Sequence, residues 1–452
     1  MLIALGLVIA AQAAQAEAIY QLALRENDPP LMVEAKSRPN ALREAISEAL
    51  TRSVRDPTAR DESLRVARRL ASVYATAWSD PYLVRQVDRF IAASTEWRGR
   101  KVRADSMRKA GVTAWSRDGP AGAIPIWKRA LASYRSLGDS AGVGGTMDNI
   151  GSAMLASGFA DSTGPWLQSA RRIAVAAGDV RLEANVLGHL ADVEAARGRL
   201  TAALAGYGEA SRLRAKVGDT RGIAADLNNQ GLIARELGDP DGARRHFEAA
   251  LAINRAEERP EVAATNLVNL AAVASQQGDL TRARGHYQDA LATWRAREEW
   301  AEAASALAGL GRLELRRGDY PAARRALADA VTIYERTGPL GDLLDARATL
   351  ADALAATGRL QEAITELARA DSAAIAGGAG SAIRGEIALG RGDLAYRLNA
   401  LPDADRHYRE ASRRFAQSRD PDREAEARHG LALVALARDD TAAAETLLRS
   451  AL

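Results

Sequence analysis

The sequence predicts an all-α protein, a solenoid of antiparallel helical hairpins, on three observations. Within Leu227–Tyr334, Gly238-Asp239, Gly278-Asp279 and Gly318-Asp319 recur at a spacing of 40 residues. The same ruler extends both ways, placing turns at Asp118, Gly158, Gly198, Gly238, Gly278, Gly318, Gly358, Asn399 and Asp439, with a single step of 41. Small residues stand in fixed columns around each turn. Seven positions before it are Gly111, Gly151, Ala191, Gly231, Ala271, Gly311, Ala351, Gly392 and Ala432, and twelve after it are Ala130, Ala170, Ala210, Ala250, Ala290, Ala330, Ala370, Ala411 and Ala451. A bulky residue recurs nine positions after the turn: Trp127, Leu167, Tyr207, Phe247, Tyr287, Leu327, Leu367, Tyr408 and Leu448. A fixed period of this length marks units that cannot bury an apolar face alone and must stack.

Each column has a physical reason. Two antiparallel helices joined by a tight turn approach closely only where the crossing side chains are small. Gly or Asn just past a helix end adopts the left-handed conformation that terminates it. The large residue at +9 is expected to fill the gap between one hairpin and its neighbour.

Small residues at −7, at +5 (Ala243, Ala283 and Ala323) and at +12, with a large one at +9, resemble the tetratricopeptide repeat. The Leu227-Asn228-Asn229 and Leu267-Val268-Asn269 stretches and the 40-residue period resemble its longer-helix variety, as in kinesin light chains, without the proline that usually closes the second helix. The resemblance spans about 104–452 and implies a right-handed superhelix. It gives an organisation of an apolar segment at 1–16, a helical cap over 17–100 and a solenoid of about nine repeats over 101–452, the last truncated.

Taken in order, Leu2–Ala16 is apolar and free of charge, and it ends in Ala14-Gln15-Ala16 before Glu17. Fifteen residues are too few to span a bilayer, which takes about 20. A short apolar run ending in A-x-A resembles a secretory signal peptide, although it lacks a positive n-region. The expectation is export, periplasmic or membrane-tethered by the N-terminus; the alternative is a buried first helix and a cytoplasmic protein. Pro29-Pro30 and Pro39 are expected to break the next segment before one helix over Ala41–Ser53. Asp61–Trp78 and Pro81–Ser94 form a degenerate hairpin around Ser79-Asp80-Pro81, a cap at the end of the array. The array proper starts with the long helix through Trp97, Met107 and Trp115. The turns between hairpins keep their signature early, at Gly138-Asp139, Gly178-Asp179 and Gly218-Asp219, and lose it later, at Glu257-Glu258, Gly338-Pro339 and Gly377–Gly380. The sequence stops inside the second helix of the ninth unit. That is the expectation for the front part of something longer, or for an end that docks on a partner. Arrays of this kind are similar to those preceding bacterial caspase-like CHAT peptidase domains, which gives an alternative reading as the sensor segment of a larger peptidase.

Composition narrows the function. The chain of 452 residues has 61 basic and 58 acidic side chains, a net charge of +3, and the signs alternate along helix faces. Nucleic-acid binding would need clustered positive charge with stacking aromatics. The absence of cysteine rules out disulfides and thiolate chemistry within the chain. There is no phosphate-binding loop, zinc-protease motif, nucleophile elbow or calcium loop. His246, His286 and His407 each precede the bulky +9 residue. Successive hairpins hold them ~10 Å or more apart, whereas metal ligands must lie about 2 Å from one ion. They are expected to be partly exposed surface residues. No enzyme and no cofactor are expected.

The binding hypothesis follows from the resemblance, in which the first helix of each repeat, helix A, lines a concave groove through positions −13, −10, −9, −6, −3 and −2. Here those are Asp148, Asn149 and Ser152; Asn185, His189 and Asp192; Asn228, Asn229, Arg235 and Glu236; Thr265, Asn269 and Gln276; and Arg312 and Arg316. Asparagine recurs at −9 in Asn149, Asn229 and Asn269. An amide both donates and accepts, so a ladder of amides can hold an extended peptide backbone. The structural alternative is local bonding between helices. Beyond residue 340 the groove positions are read as Ala348, Thr349, Gly390 and Gly430, so binding is expected in the first half. The expected function is a non-catalytic scaffold for a protein or extended peptide.

Overall fold

The computed structural model describes residues 14–25 and 28–449, and among them every regular element is an α-helix. The chain divides into two compact units, one up to Asn266 and one from Leu267. Of the apolar run Leu2–Ala16, the part up to residue 13 lies outside the described residues. The helix over 14–24 buries Ala16, Ile19, Tyr20 and Ala23. Pro29-Pro30 opens the helix Asp28–Ser37 and Pro39 opens Pro39–Arg55. The prolines thus start helices where a break was expected, because a proline in the first turn gives up only an N–H that has no intrahelical partner. With Arg60–Trp78 and Tyr82–Ala92 these helices build a cap around Leu31, Leu42, Ile46, Leu70 and Tyr74.

Among the described residues nine hairpins follow. Hairpin 1 is the stretch Thr95–Ser136; hairpin 2 pairs Ser140–Ala156 with Ala160–Ala177, and hairpin 3 pairs Val180–Ala196 with Leu200–Lys216. Hairpin 4 is Thr220–Glu236 with Pro240–Ala256, hairpin 5 Pro260–Gln276 with Leu280–Ala296, and hairpin 6 Trp300–Arg317 with Tyr320–Thr337. Hairpin 7 is Leu340–Ala356 with Leu360–Ala376, hairpin 8 Ser381–Arg397 with Leu401–Ser418, and hairpin 9 Pro421–Ala437 with Thr441–Arg449. In hairpin 1 the turn expected at Asp118 falls beside it, at Gly119 (φ 67°), where two helices meet ahead of Pro120.

The Gly-Asp pair works as a stop and a start. Gly238, Gly278 and Gly318 have φ of 78°, 84° and 77°, a conformation that costs an L-side chain about 1–2 kcal/mol. The aspartate then caps the next helix: Asp239 Oδ1 accepts from the Gly242 N–H at 2.8 Å and Asp279 Oδ1 from the Arg282 N–H at 3.0 Å. Such a cap contributes about 0.5–2 kcal/mol. Where the glycine is lost, Glu258, Glu298, Asn399 and Asp439 take the same positive φ.

The small and large columns meet inside each hairpin. A Cβ on Gly231 would stand 2.6 Å from Phe247 Cε1, and one on Gly392 would stand 2.6 Å from Tyr408 Cδ1. The +9 side chain therefore lies over the −7 position of its own helix A. It also reaches the next hairpin at −9: a Cβ on Gly309 would be 2.5 Å from Tyr287 Cε1, and one on Gly430 would be 2.4 Å from Tyr408 Cε1. Leu448, the +9 residue of the ninth hairpin, is exposed, and Ala451 lies outside the described residues.

Candidate functional site

The −9 column that carries the asparagines is the column against which the preceding hairpin's +9 residue packs. Position therefore decides what each amide can do. In the first unit the Tyr207 hydroxyl donates to Asp192 Oδ1 and also hydrogen-bonds Asn229. Asn229 is thus a seam residue between hairpins 3 and 4. Asn228 Oδ1 accepts from Asn266 Nδ2 at 3.1 Å, and Asn266 Oδ1 accepts from Asn254 Nδ2 at 2.8 Å. This amide chain ties hairpin 4 to the start of hairpin 5. Asn185 Oδ1 accepts from Arg214 Nη1 at 2.7 Å, while Arg214 also pairs with Asp219 at 2.8 Å and Asp226 at 2.9 Å.

Asn149 behaves differently. Its Nδ2 is buried and has no hydrogen-bond partner among the described residues. It lines an open cavity of about 450 Å³ between the cap and the helix A faces of hairpins 1–3, together with Arg43, Tyr82, Arg108, Arg181 and Asn185. Asp148 beside it is buried, and its Oδ1 lies 2.7 Å from His189 Nδ1. Burial disfavours the imidazolium, but the Asp148 and Asp192 carboxylates outweigh it and hold the His189 pKa above the ordinary histidine value.

The cavity exists because the cap folds over the turns between hairpins. Arg89 Nη2 donates to Gly138 O at 2.8 Å, Arg85 Nη2 to Ala177 O at 3.2 Å, and the Tyr74 hydroxyl to Val217 O at 2.8 Å. Tyr82 of the cap hydrogen-bonds Asp179, and from hairpin 1 itself Trp97 Nε1 donates to Leu137 O at 3.0 Å and Lys101 pairs with Asp139 at 3.1 Å. Gly218 faces the ring of Trp78 so closely that a Cβ there would lie 2.2 Å from Cζ2. Three successive helix ends thus give their last, otherwise unsatisfied carbonyls to the cap. The sequence expectation placed the cap at the end of the array; the structure lays it along hairpins 1–3.

The remaining expected residues are scattered. Arg235 is half-buried and makes no side-chain hydrogen bond or ion pair among the described residues. In the second unit Asn269 is half-buried and engaged, and Gln276 is exposed. Arg312 Nη1 pairs with Asp345 at 2.5 Å, and Arg316 Nη1 donates to Ser275 O at 2.8 Å and Ser275 Oγ at 2.7 Å. His407 corrects the expectation of an exposed histidine. It is buried, and burial first, then Arg391 and Arg406, push its pKa down to about 4. The cause is its place on helix B, facing the helix A to which Arg391 belongs. Among the described residues no group of three or more His, Asp or Glu is placed to hold a metal ion.

A second cavity, about 470 Å³, was missed from the sequence. It lies in the second unit, between helix A of hairpin 7 and helix A of hairpin 8. Its floor is Leu344, Leu367, Ile387 and Leu394, all buried, and Ala348 and Gly390 leave the space open. Four carboxylates line it: Asp345 and Glu386 at −13, Asp352 and Asp393 at −6. The signal lies in the same ruler that marked Asn185 and Asp192: these carboxylates occupy −13 and −6, on either side of the small Ala348 at −10 and Gly390 at −9.

A tetratricopeptide repeat model matches residues 182–256 and 261–336, and those residues are tetratricopeptide repeats. No curated relative matches the chain by sequence. Among solved structures, the apo form of RapI is similar at 13% identity and a TM-score of 0.59, over 77% of this chain and 96% of that one. The apo form of the quorum sensor NprR from B. thuringiensis is similar at 12% identity and a TM-score of 0.54, over 77% of this chain and 97% of that one. The TPR-like repeats of a putative kinesin light chain from Podosopora anserina match at 20% identity and a TM-score of 0.38, over 43% of this chain and 95% of that one. At these identities the first two likenesses concern the fold.

Proposed function

We propose that this tetratricopeptide array is a non-catalytic scaffold that binds a protein or extended peptide through the helix A faces of its hairpins. One observation carries the reading. Asn149 presents a buried amide nitrogen without a partner to the walls of a preformed cavity. Leaving such a donor unmade costs about 1–3 kcal/mol, and a backbone carbonyl of an inserted segment would recover that. The cavity volume of about 450 Å³ falls in the range of roughly 300–1,000 Å³ usual for ligand pockets. The cap narrows what can enter, so the bound segment is a short stretch or a chain end. The apolar run Leu2–Ala16 supports export as the setting in which the partner is met.

The test is selection of peptides from a displayed library on the purified protein, followed by affinity measurement on N149A. The expected result is binding to the wild type and a loss of about tenfold, the scale of one buried hydrogen bond, in N149A with an unchanged helical spectrum. No enriched peptide, or equal affinity for N149A, rejects the reading.

A further inference from the structure

We propose that the cavity between hairpins 7 and 8 takes an arginine or lysine side chain of a protein partner. The inference builds on the reading of helix A faces as binding faces, but it concerns a different compact unit and can fail alone.

The geometry combines two features that a long cationic side chain matches. The floor of Leu344, Leu367, Ile387 and Leu394 is apolar and buried, and Ile383 at its edge is 44% exposed. It can cover the methylene stem of lysine or arginine, which prefers apolar surface along its length with the charged head beyond. Above the floor stand four exposed carboxylates, set about two helical turns apart within each helix A and one hairpin apart between them. A single cation, Arg397, shares the lining, and its Nη2 donates to Ala355 O at 3.2 Å.

The carboxylates are not equally engaged. Asp345 pairs with Arg312 at 2.5 Å, and Glu386 pairs with Arg423 at 2.9 Å. Asp393 Oδ1 accepts only from the Tyr408 hydroxyl, at 2.7 Å, and Asp352 has no hydrogen bond or ion pair among the described residues. The walls of the concavity desolvate Asp352 and raise its carboxyl pKa although water still reaches it. Two guanidinium groups of the chain itself therefore sit on the outer carboxylates, while Asp393 feels the charge of Arg397 without an ion pair to it and Asp352 has no cation beside it among the described residues. Those outer pairs are exposed and contribute at most about 1 kcal/mol each, so they show the preferred counter-ion without closing the pocket. The occupant is a basic peptide segment, because the site offers four carboxylates against one guanidinium together with an apolar stem channel.

The experiment measures fluorescence anisotropy of a labelled Gly-Arg-Ala-Leu-Arg-Gly peptide and of its Glu-for-Arg counterpart on the full chain. Three proteins are compared: wild type, the double variant D352N/D393N, and A348F, which fills the cavity without changing charge. Asn at 393 keeps an acceptor for Tyr408, so the double variant retains the fold, as circular dichroism checks. The expected result is binding of the arginine peptide alone and about tenfold weaker binding in both variants. Affinity for the wild type also falls as ionic strength rises. Equal binding of the two peptides overturns the proposal, as does affinity within twofold of wild type in D352N/D393N. Unchanged affinity in A348F overturns the pocket in favour of diffuse surface charge. Loss of the peptides selected in the first unit through N149A leaves this result untouched, so the two readings fail separately.

Discussion

At the scale of single residues, the two best-defined histidines titrate in opposite senses for reasons visible in their neighbours. His189 faces Asp148 and has a raised pKa, so the folded state holds a proton that the unfolded chain releases near pH 6.5. Its contribution is fully present below about pH 6.5 and is lost as pH rises through the folded value. His407 sits among arginines with a pKa near 4. The unfolded chain binds a proton there first, so stability falls as pH drops from about 6.5 towards 4, by roughly 3 kcal/mol at most. Urea titrations check both. H407Q should lose less stability than wild type between pH 7 and pH 5, and the deficit of H189Q should be larger at pH 6 than at pH 8. A deficit of H189Q that grows with pH would contradict the pairing. Neither environment was legible in the sequence, where His407 carried only its position before an aromatic. Asn149, Asn229 and Asn269 likewise share one column, yet one lacks a partner and two are engaged. The period says which column a residue occupies, not whether the neighbouring +9 side chain is a tyrosine that consumes the amide.

At the scale of elements, the hairpins were readable because every device in them is local. A glycine stop, an aspartate start, a small −7 and a large +9 all lie within one unit, and their spacing survives in the sequence. The cap follows no period, and its decisive contacts join residues far apart, as Tyr74 and Val217 do across 143 positions. The persistence of Gly-Asp at 138, 178 and 218 alone hinted at it, since those are the turns over which the cap runs. The Tyr74 hydroxyl is buried and serves a carbonyl that has no other partner given to it by the helix. Y74F should therefore weaken cap docking by about 1–3 kcal/mol. R85A, at a solvent-exposed bond, should cost about 1 kcal/mol or less. Limited proteolysis and hydrogen exchange over residues 39–92 provide the measurement. Faster exchange confined to the cap in Y74F, with hairpins 4 and beyond unchanged, is expected. Equal protection in the two proteins would show that the hydrogen bond does not hold the cap.

At the scale of the whole molecule, an array of hairpins is stabilised by contacts between neighbours, so damage should stay local. Hairpin 8 tests this well. Tyr408 packs over Gly392 in its own hairpin and against Gly430 in the next, and Cβ atoms there would lie 2.6 Å and 2.4 Å from its ring. G392V must push Tyr408 from both places. Overpacking costs about 1–3 kcal/mol, while replacing a helical glycine returns a few tenths of a kcal/mol, so a net loss is expected. Because the ring bridges two hairpins, the loss should appear as faster hydrogen exchange across residues 381–437 and not in hairpin 8 alone. Residues 140–256, in the other compact unit, should keep wild-type protection. Adding Y408A should remove most of the effect of G392V, since the clash it creates is then absent. A uniform rise in exchange along the chain would mean that the hairpins open together, and the nearest-neighbour account of this array would have to be abandoned.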